Sequence, residues 1–363
     1  MKTILLVAGV RGGSDFFQHL LDQHEEILTL PGSLRIDNEF KNWITIKDYR
    51  KISKEFLKMY PEHFDSRLNK FERLDKLGKK RNRFFKVNKN KFLKNFNNLN
   101  KDLKSLDRFT ILKNIHIAYA QAKGENIKKK KILFIHPHLV SWTRNLLDLV
   151  HFKNFVILHI IRHPLSSLSS AVKNWLRFKK GFAFMPKDLY FELDLMFNGV
   201  YDLMKLGKVY IIKYENIHKK SLKTMKEFCK LFKIKFNSSL LKPTLFGLKW
   251  WGDKVSNKWL NGINKNYEIS FDKNIFFKRD VSYLQNINRN IFQKYNYNYF
   301  SKKKNISFNF FPLKMEILVF LNSIKHFYRW KHFLSSPYFF FKRILIFNLL
   351  NQRTVKLPKS IGD

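Results

Sequence analysis

Cysteine is almost missing from this chain. Cys229 is the one thiol in 363 residues, which excludes an intramolecular disulfide framework and any zinc site built from cysteines. It lies in "TMKEFCKLF", where a small buried apolar residue is the simplest reading. Acids are scarce: 28 Asp and Glu stand against 70 Lys and Arg, a formal net charge of +42. A/T-rich codons account for part of this, because Lys, Asn, Ile and Phe abound together. Glu shares such codons and is nevertheless rare, so the positive field is partly functional. It would attract nucleic acid, anionic lipid or acidic small molecules. The N-terminal apolar run is too short to span a membrane. It flows directly into a glycine loop and reads as a first strand, not a signal peptide. There is no internal repeat. A hydrophobic content of 45% excludes wholesale disorder, and the length suits one large α/β domain with appendages.

What is present is a series of apolar strands alternating with helices. "TILLVA" reads as a strand, and "FFQHLL" puts Phe16, Phe17, Leu20 and Leu21 on one helical face. Between them stands "GVRGGSD". Strand, tight glycine turn and helix start is the arrangement that aims backbone N–H groups at an anion. A nucleoside-triphosphate loop ends in Gly-Lys-Ser/Thr, whereas here Gly13 precedes Ser14 and Asp15, and Arg11 is the loop's only cation. Further strands are expected at "KILFIHPH" (131–138), "NFVILHIIRHP" (154–164) and "KVYIIKYENI" (208–217), with a helical, very basic region over 35–125. The pattern predicts a doubly wound parallel sheet flanked by helices. Ligands in such sheets sit beyond the carboxyl ends of the strands. The Arg11–Ser14 loop, the His136/His138 pair and Arg162 all fall at such ends.

These residues resemble the sulfotransferases. The first loop is similar to their 5′-phosphosulfate loop: Arg11 takes the basic position, Gly13 the second glycine and Ser14 the first hydroxyl. "IIRHPLSSLSSAVKNW" resembles the 3′-phosphate motif, an Arg-x-Pro at a strand end with a serine eight residues after the arginine, here Arg162, Pro164 and Ser170. A Tyr-Glu segment after a later strand, Tyr214 and Glu215, also matches. Three positions depart from the pattern: Val10 replaces a proline, Gly12 a serine and Asp15 a threonine. A carboxylate at Asp15 would repel a sulfonate, or it would cap the helix start. The resemblance implies a P-loop-NTPase-like sulfotransferase fold over residues 1–300, with 35–125 on the acceptor side and 301–363 as a basic aromatic tail. It implies 3′-phosphoadenylyl sulfate as co-substrate, no metal, and an unidentified hydroxyl or amine acceptor, such as a glycan or lipid.

On that resemblance the general base falls at His138, in the family's histidine position, or at His136, in a neighbouring lysine's place; Glu39 or Glu25 would be the equivalent in other branches. Gly12 and Asp15 belong to the donor loop. Lys254 and Ser256, in "WWGDKVSNKWLNG", are expected phosphate contacts. His159, His116, Trp250 and Trp251 read as packing, and Tyr214 and Glu215 as structural. The tail puts Ile317, Phe320, Leu321, Ile324, Phe327 and Tyr328 at helical spacing, either to pack on the core or to lie on an anionic membrane. A cytoplasmic location, peripheral at the inner membrane, follows from that second reading. No specific nucleic-acid partner is expected, because the bases are spread along the chain without a reading motif. A basic binding protein without catalysis is the competing class, and a P-loop kinase lacks its Gly-Lys pair.

Overall fold

The computed structural model describes residues 1–9, 11–102, 107–178, 183–300, 310–326, 334–350 and 356–363, with only the backbone of 346–350. Val10, Phe327, Tyr328, Arg329 and Lys331 lie outside the described residues. Six strands form one parallel sheet: β1 (Lys2–Ala8), β2 (Ile27–Thr29), β3 (Ile132–His138), β4 (Phe155–Ile161), β5 (Val209–Lys213) and, after a small hairpin of β6 (Thr244–Leu245) and β7 (Leu248–Lys249), β8 (Ser360–Ile361). Their spatial order is β2-β3-β1-β4-β5-β8, and every sheet pairing is parallel. The α/β doubly wound class is as the alternation predicts. β1 is central because it is apolar on both faces: Ile4, Leu5, Leu6 and Val7 are all fully buried. Its neighbours β3 and β4 leave the sheet through separate crossovers, which opens a crevice at the carboxyl ends of these three strands.

Two boundaries differ from the sequence reading. The "KYENI" end of the fourth strand is helix: β5 stops at Lys213, and Tyr214–Lys219 turns helical. Pro164, read as a strand end, opens the helix Pro164–Arg177 instead, where its missing N–H costs nothing. The C-terminal segment beyond residue 300 is tied to the domain. Ser360 and Ile361 pair with Ile211 and Ile212 of β5, and Asp363 forms an ion pair with Lys213 at 2.9 Å. Residues 314–324 and 336–350 form helices that pack on Pro186–Leu206. Among the described residues no helix is long and apolar enough to cross a membrane.

The helix Ser14–Leu21 explains the tight first turn. Seven of its eight residues are buried, so it is clasped on all sides and its entry is fixed. Gly13 caps it at φ 88°, and a Cβ there would lie 2.2 Å from the Tyr214 ring. A Cβ on Gly12 would meet the Ile160 carbonyl at 2.9 Å. Close approach therefore requires both glycines, and at Gly13 the left-handed backbone does so as well.

Candidate functional site

A cleft of about 1700 Å³ opens at the carboxyl ends of β3, β1 and β4. That exceeds the ~300–1,000 Å³ of an ordinary single-ligand pocket, so it has room for two reactants. Its walls bring together Arg11, Gly12, Gly13, Ser14, Asp15, His138, Arg162, Ser170 and Ser256. The other expected residues fall elsewhere. Lys254 is turned away: its Nζ holds Asp75 at 2.9 Å and donates to the Asn69 carbonyl at 3.0 Å. Its neighbour Asp253 lines the cleft instead. Glu25 pairs with Lys129 on the surface, and Glu39 is exposed in the first turn of Asn38–Ile44; neither borders the cleft.

The loop seat is built by backbone and one cation. Gly12 N–H closes a turn on Gly9 C=O at 3.0 Å. The first amides of the helix have no intrahelical acceptor. Arg11 stands at φ 46°, and its Nη2 pairs with Asp253 Oδ2 at 3.0 Å. Its Nε has no hydrogen-bond partner among the described residues. Asp15 does not cap this helix; Gly13 occupies that position. Burial, then the nearby Glu72 carboxylate, pushes Asp15 up to about 7. Near neutrality it is part carboxylic acid, which lessens its repulsion of an anion and lets it donate.

The second seat surrounds Arg162, just past β4. Arg162 Nε donates to Tyr267 Oη at 3.2 Å, and its Nη1 reaches the Arg11 carbonyl at 3.4 Å. The guanidinium also stands 5.1 Å over the Tyr214 ring. Tyr214, read as purely structural, is thus both the floor under Gly13 and a platform for Arg162. Glu215 accepts from the His163 amide at 2.8 Å and from Tyr297 at 3.2 Å. Ser170 lines the cleft one helix face away and accepts from Asn174 at 3.1 Å. His218 carries no signal in the sequence. Its Nδ1 accepts from Asn264 N–H at 3.0 Å, so the proton sits on Nε2, which has no partner among the described residues.

The third group is a chain of side chains behind β3. Gln18 Nε2 donates to the Leu30 and Gly32 carbonyls at 2.7 and 3.1 Å. The amide orientation follows, and its Oε1 faces His136 Nδ1 at 2.7 Å. An amide oxygen can only accept, so His136 carries its proton on Nδ1. Burial, then His138, holds its pKa well below the ordinary value, and the neutral ring offers a lone pair at Nε2. His138 Nδ1 lies 3.2 Å from that nitrogen and must donate. Ser14 Oγ, 3.2 Å from the same Nδ1, then accepts, and keeps its own proton for the cleft. His138 is left with its lone pair on Nε2. Burial, then Arg11, pushes it down to about 4, so at neutral pH it is ready to accept a proton.

His138 is held by strained backbone. Its φ is 67°, and Leu139 N–H donates back to Pro137 C=O at 2.8 Å, a tight γ-turn that is uncommon and costly. The β1–β3 register shifts between Leu5 and Val7 at the same place. β3 nevertheless runs through Pro137 to His138, and His136 and His138 still meet. Asp15, His136 and His138 also place ligand-capable atoms within 4.8 Å of one another. The hydrogen-bond chain accounts for that spacing.

His159, His116, Trp250 and Trp251, read as packing, are buried and bonded within the core. His159 Nδ1 donates to Val7 C=O at 3.2 Å and His116 Nδ1 to Leu112 C=O at 2.7 Å. Trp250 donates to Glu72 at 2.9 Å, and Trp251 to Gly78 C=O at 2.7 Å. His19 behaves differently. Its Nδ1 faces the Thr244 carbonyl at 3.1 Å and its Nε2 the Glu72 carboxylate at 2.7 Å. Both nitrogens must donate, so the ring is an imidazolium. Burial opposes that charge, but Glu72, with help from Asp22 and Asp15, outweighs it and the pKa rises above 6.5. The stabilisation is therefore complete below pH 6.5 and is lost as pH rises through the higher folded value. Urea unfolding should show the advantage of wild type over His19→Gln shrinking across that interval. An advantage independent of pH would mean the ring is neutral.

Fold and cleft together define a parallel α/β protein whose cleft gathers the Arg11 glycine loop, Arg162 and His138 at adjacent strand ends. No protein-family profile matches the chain, and no curated protein matches it. Similar solved structures include a sulfotransferase domain from the Synechococcus PCC 7002 olefin synthase, 13% identical with a TM-score of 0.35 over 67% of this chain and 76% of that one. Another is a sulfotransferase domain from the curacin biosynthetic pathway, 14% identical with a TM-score of 0.40 over 82% of this chain and 99% of that one.

Proposed function

We propose that this chain is a sulfotransferase that moves a sulfuryl group from 3′-phosphoadenylyl sulfate to a hydroxyl or amine. One observation carries the reading: three adjacent strand ends, β3, β1 and β4, deliver His138, the Arg11–Ser14 loop and Arg162 to a single cleft. A donor with anionic groups at both its 5′ and 3′ positions needs two seats. The loop amides, Ser14 and Arg11 take the phosphosulfate; Arg162 and Ser170 take the 3′-phosphate. The absence of a lysine after Gly13 suits a donor that is not a magnesium triphosphate.

In the reaction the acceptor oxygen or nitrogen attacks sulfur in line. Its new bond to sulfur forms as the bridging S–O bond to the phosphate breaks. His138 Nε2 takes the acceptor's proton, and the leaving adenosine 3′,5′-bisphosphate keeps the electron pair. Arg11 and the loop amides offset the charge that builds on its 5′-phosphate.

The competing class, a basic binding module without catalysis, is not favoured. Acids line the cleft as often as bases: Asp15, Glu62, Glu72, Asp188, Glu192, Asp253, Glu268 and Asp272 face Arg11, Arg35, Lys58, Lys70, Arg162, Lys173, Arg177 and Lys258. The +42 field is thus not concentrated there, as a nucleic-acid groove would require.

The test is thermal stabilisation. Adenosine 3′,5′-bisphosphate without magnesium should stabilise the protein by about 2.7 kcal/mol at a hundredfold excess over its dissociation constant. Stabilisation by magnesium-ATP alone would mark a kinase. Stabilisation by neither nucleotide would return the reading to a non-catalytic module.

A further inference from the structure

We propose that the two C-terminal helices form a docking face for an anionic membrane surface. The inference is independent of the reaction, since none of its residues belongs to the cleft's chemistry. It starts from helices that are apolar on both sides. On Lys314–Ile324 the inner side is Met315, Val319 and Ser323, buried against a cluster that includes Leu168, Leu193 and Phe197. The outer side carries Ile317, Leu321 and Ile324, at 38, 52 and 49% exposure. Their spacing of four and three residues makes one stripe. On Ser336–Leu350 the residues Tyr338, Phe341 and Leu345 repeat the pattern at 59, 62 and 65% exposure. A helix on a globular surface ordinarily presents charged or polar residues there. The described part of the stripe expected from the sequence thus faces outward.

The face is fastened to the domain. Arg343 is 1% exposed and bonds Glu316 Oε1 at 2.6 Å, joining the two helices. Its Nη2 also donates to the Phe311 carbonyl at 3.2 Å. Both helices rest on Pro186–Leu206, the helix that lines the cleft with Phe191 and Glu192. A surface docked through this face would lie one helix away from the reactive groups.

Charge selects the occupant. Cations rim the stripes: Lys325 is exposed beside Leu321 and Ile324, and Lys342 stands 5.5 Å over the Tyr338 ring. Arg279 stands 5.0 Å over the exposed Phe277 ring, and Lys314 at 5.5 Å over the same ring. Glu316 is the only acid on either helix, and Arg343 neutralises it. The only other acid after residue 300, Asp363, is engaged by Lys213 at the sheet edge. A second copy of the chain would bring two positive rims together, which is unfavourable. An apolar stripe edged by lysine, arginine and aromatic rings matches the boundary between acyl chains and anionic headgroups. Helices of 11 and 15 residues lie in that boundary rather than cross it.

The experiment is co-sedimentation of the full chain with phosphatidylglycerol/phosphatidylcholine vesicles. Wild type should pellet and be released by salt. Leu321→Glu and Phe341→Glu should each weaken partitioning roughly tenfold or more. Leu222→Glu, an exposed leucine on another helix, Ser221–Phe232, should pellet as wild type does. Unchanged circular dichroism and thermal unfolding in the variants separate lost docking from lost folding. Three results would overturn the proposal. The first is wild type left in the supernatant, or bound equally to pure phosphatidylcholine. The second is unchanged pelleting of the two stripe variants. The third is a dimer in sedimentation equilibrium that those substitutions dissolve, which would make the face a self-interface.

Discussion

Arg162→Ala should lower affinity for adenosine 3′,5′-bisphosphate by roughly a hundredfold, because a charge-assisted hydrogen bond is worth about 1.5–3 kcal/mol. The arginine is organised before any ligand arrives. Tyr267 holds Nε, the Tyr214 ring lies beneath the guanidinium, and Nη1 reaches the Arg11 carbonyl. Arg162→Lys should recover little, since an ammonium matches neither the fork nor the ring. Arg11→Ala should cost less. Arg11 is already paired with Asp253 at 3.0 Å, so an arriving phosphosulfate exchanges one anion for another. Asp253→Asn should then tighten binding several-fold by releasing Arg11. Asparagine retains an Oδ1 to accept the Ser256 amide, a 2.6 Å contact that holds the loop. Isothermal calorimetry reads all four variants. An Arg162→Ala protein that binds normally would remove Arg162 from the 3′-phosphate seat. A weaker Asp253→Asn complex would show that the acid supports the donor instead of competing with it.

The parts legible from sequence were those set by local backbone. β1, β3, β4 and β5 are apolar runs ended by glycine, proline or charge, and each is a strand in the structure. Arg11, Ser14 and Arg162 were legible because a strand–turn–helix junction dictates where its own residues go. β2 and β8 were not. They have three and two residues, too few to show a period, and exist because a neighbouring strand offers a free edge. The Tyr214–Ile217 stretch was read as the end of that strand, but Glu215 and Asn216 break the apolar run and the chain turns helical just past β5. Which loop side chain enters the cleft was also out of reach. Lys254 and Asp253 are adjacent, and long-range contacts with Asp75 and Arg11 decide which one faces inward. Gln18 and Tyr267 stayed hidden for the same reason, since their partners lie 118 and 105 residues away.

That distance matters most for the base, where the largest kinetic effect is expected. His138→Ala should reduce turnover by roughly 10²–10⁴-fold, the usual contribution of general base catalysis. Turnover is measured as release of adenosine 3′,5′-bisphosphate from 3′-phosphoadenylyl sulfate. Donor affinity should change less than turnover, because only Ser14 loses a hydrogen bond from the ring while Arg11, the loop amides and the Arg162 seat keep their partners. His136 touches no reactant. It fixes the His138 tautomer, so His136→Phe should leave the ring free to carry its proton on Nε2 and lose part of the same rate. Gln18→Leu should act in the same direction with smaller effect, by leaving His136 Nδ1–H without its acceptor. The pH profile separates this chain from a merely structural one. In wild type the acidic limb should follow His138, whose folded value near 4 keeps the base unprotonated from there upward. In His136→Phe an apolar ring stands where an acceptor stood, so burial weighs no less, the protonated His138 ring loses a partner, and the limb should move to lower pH. Nitrogen-15 spectra of the histidine rings read the tautomer directly. The His138 proton should be on Nδ1 in wild type and shift towards Nε2 in His136→Phe. A wild-type ring already protonated on Nε2 would break the chain and pass the base role to another residue of the cleft, of which Glu192, raised to about 8 by burial, is the next to change.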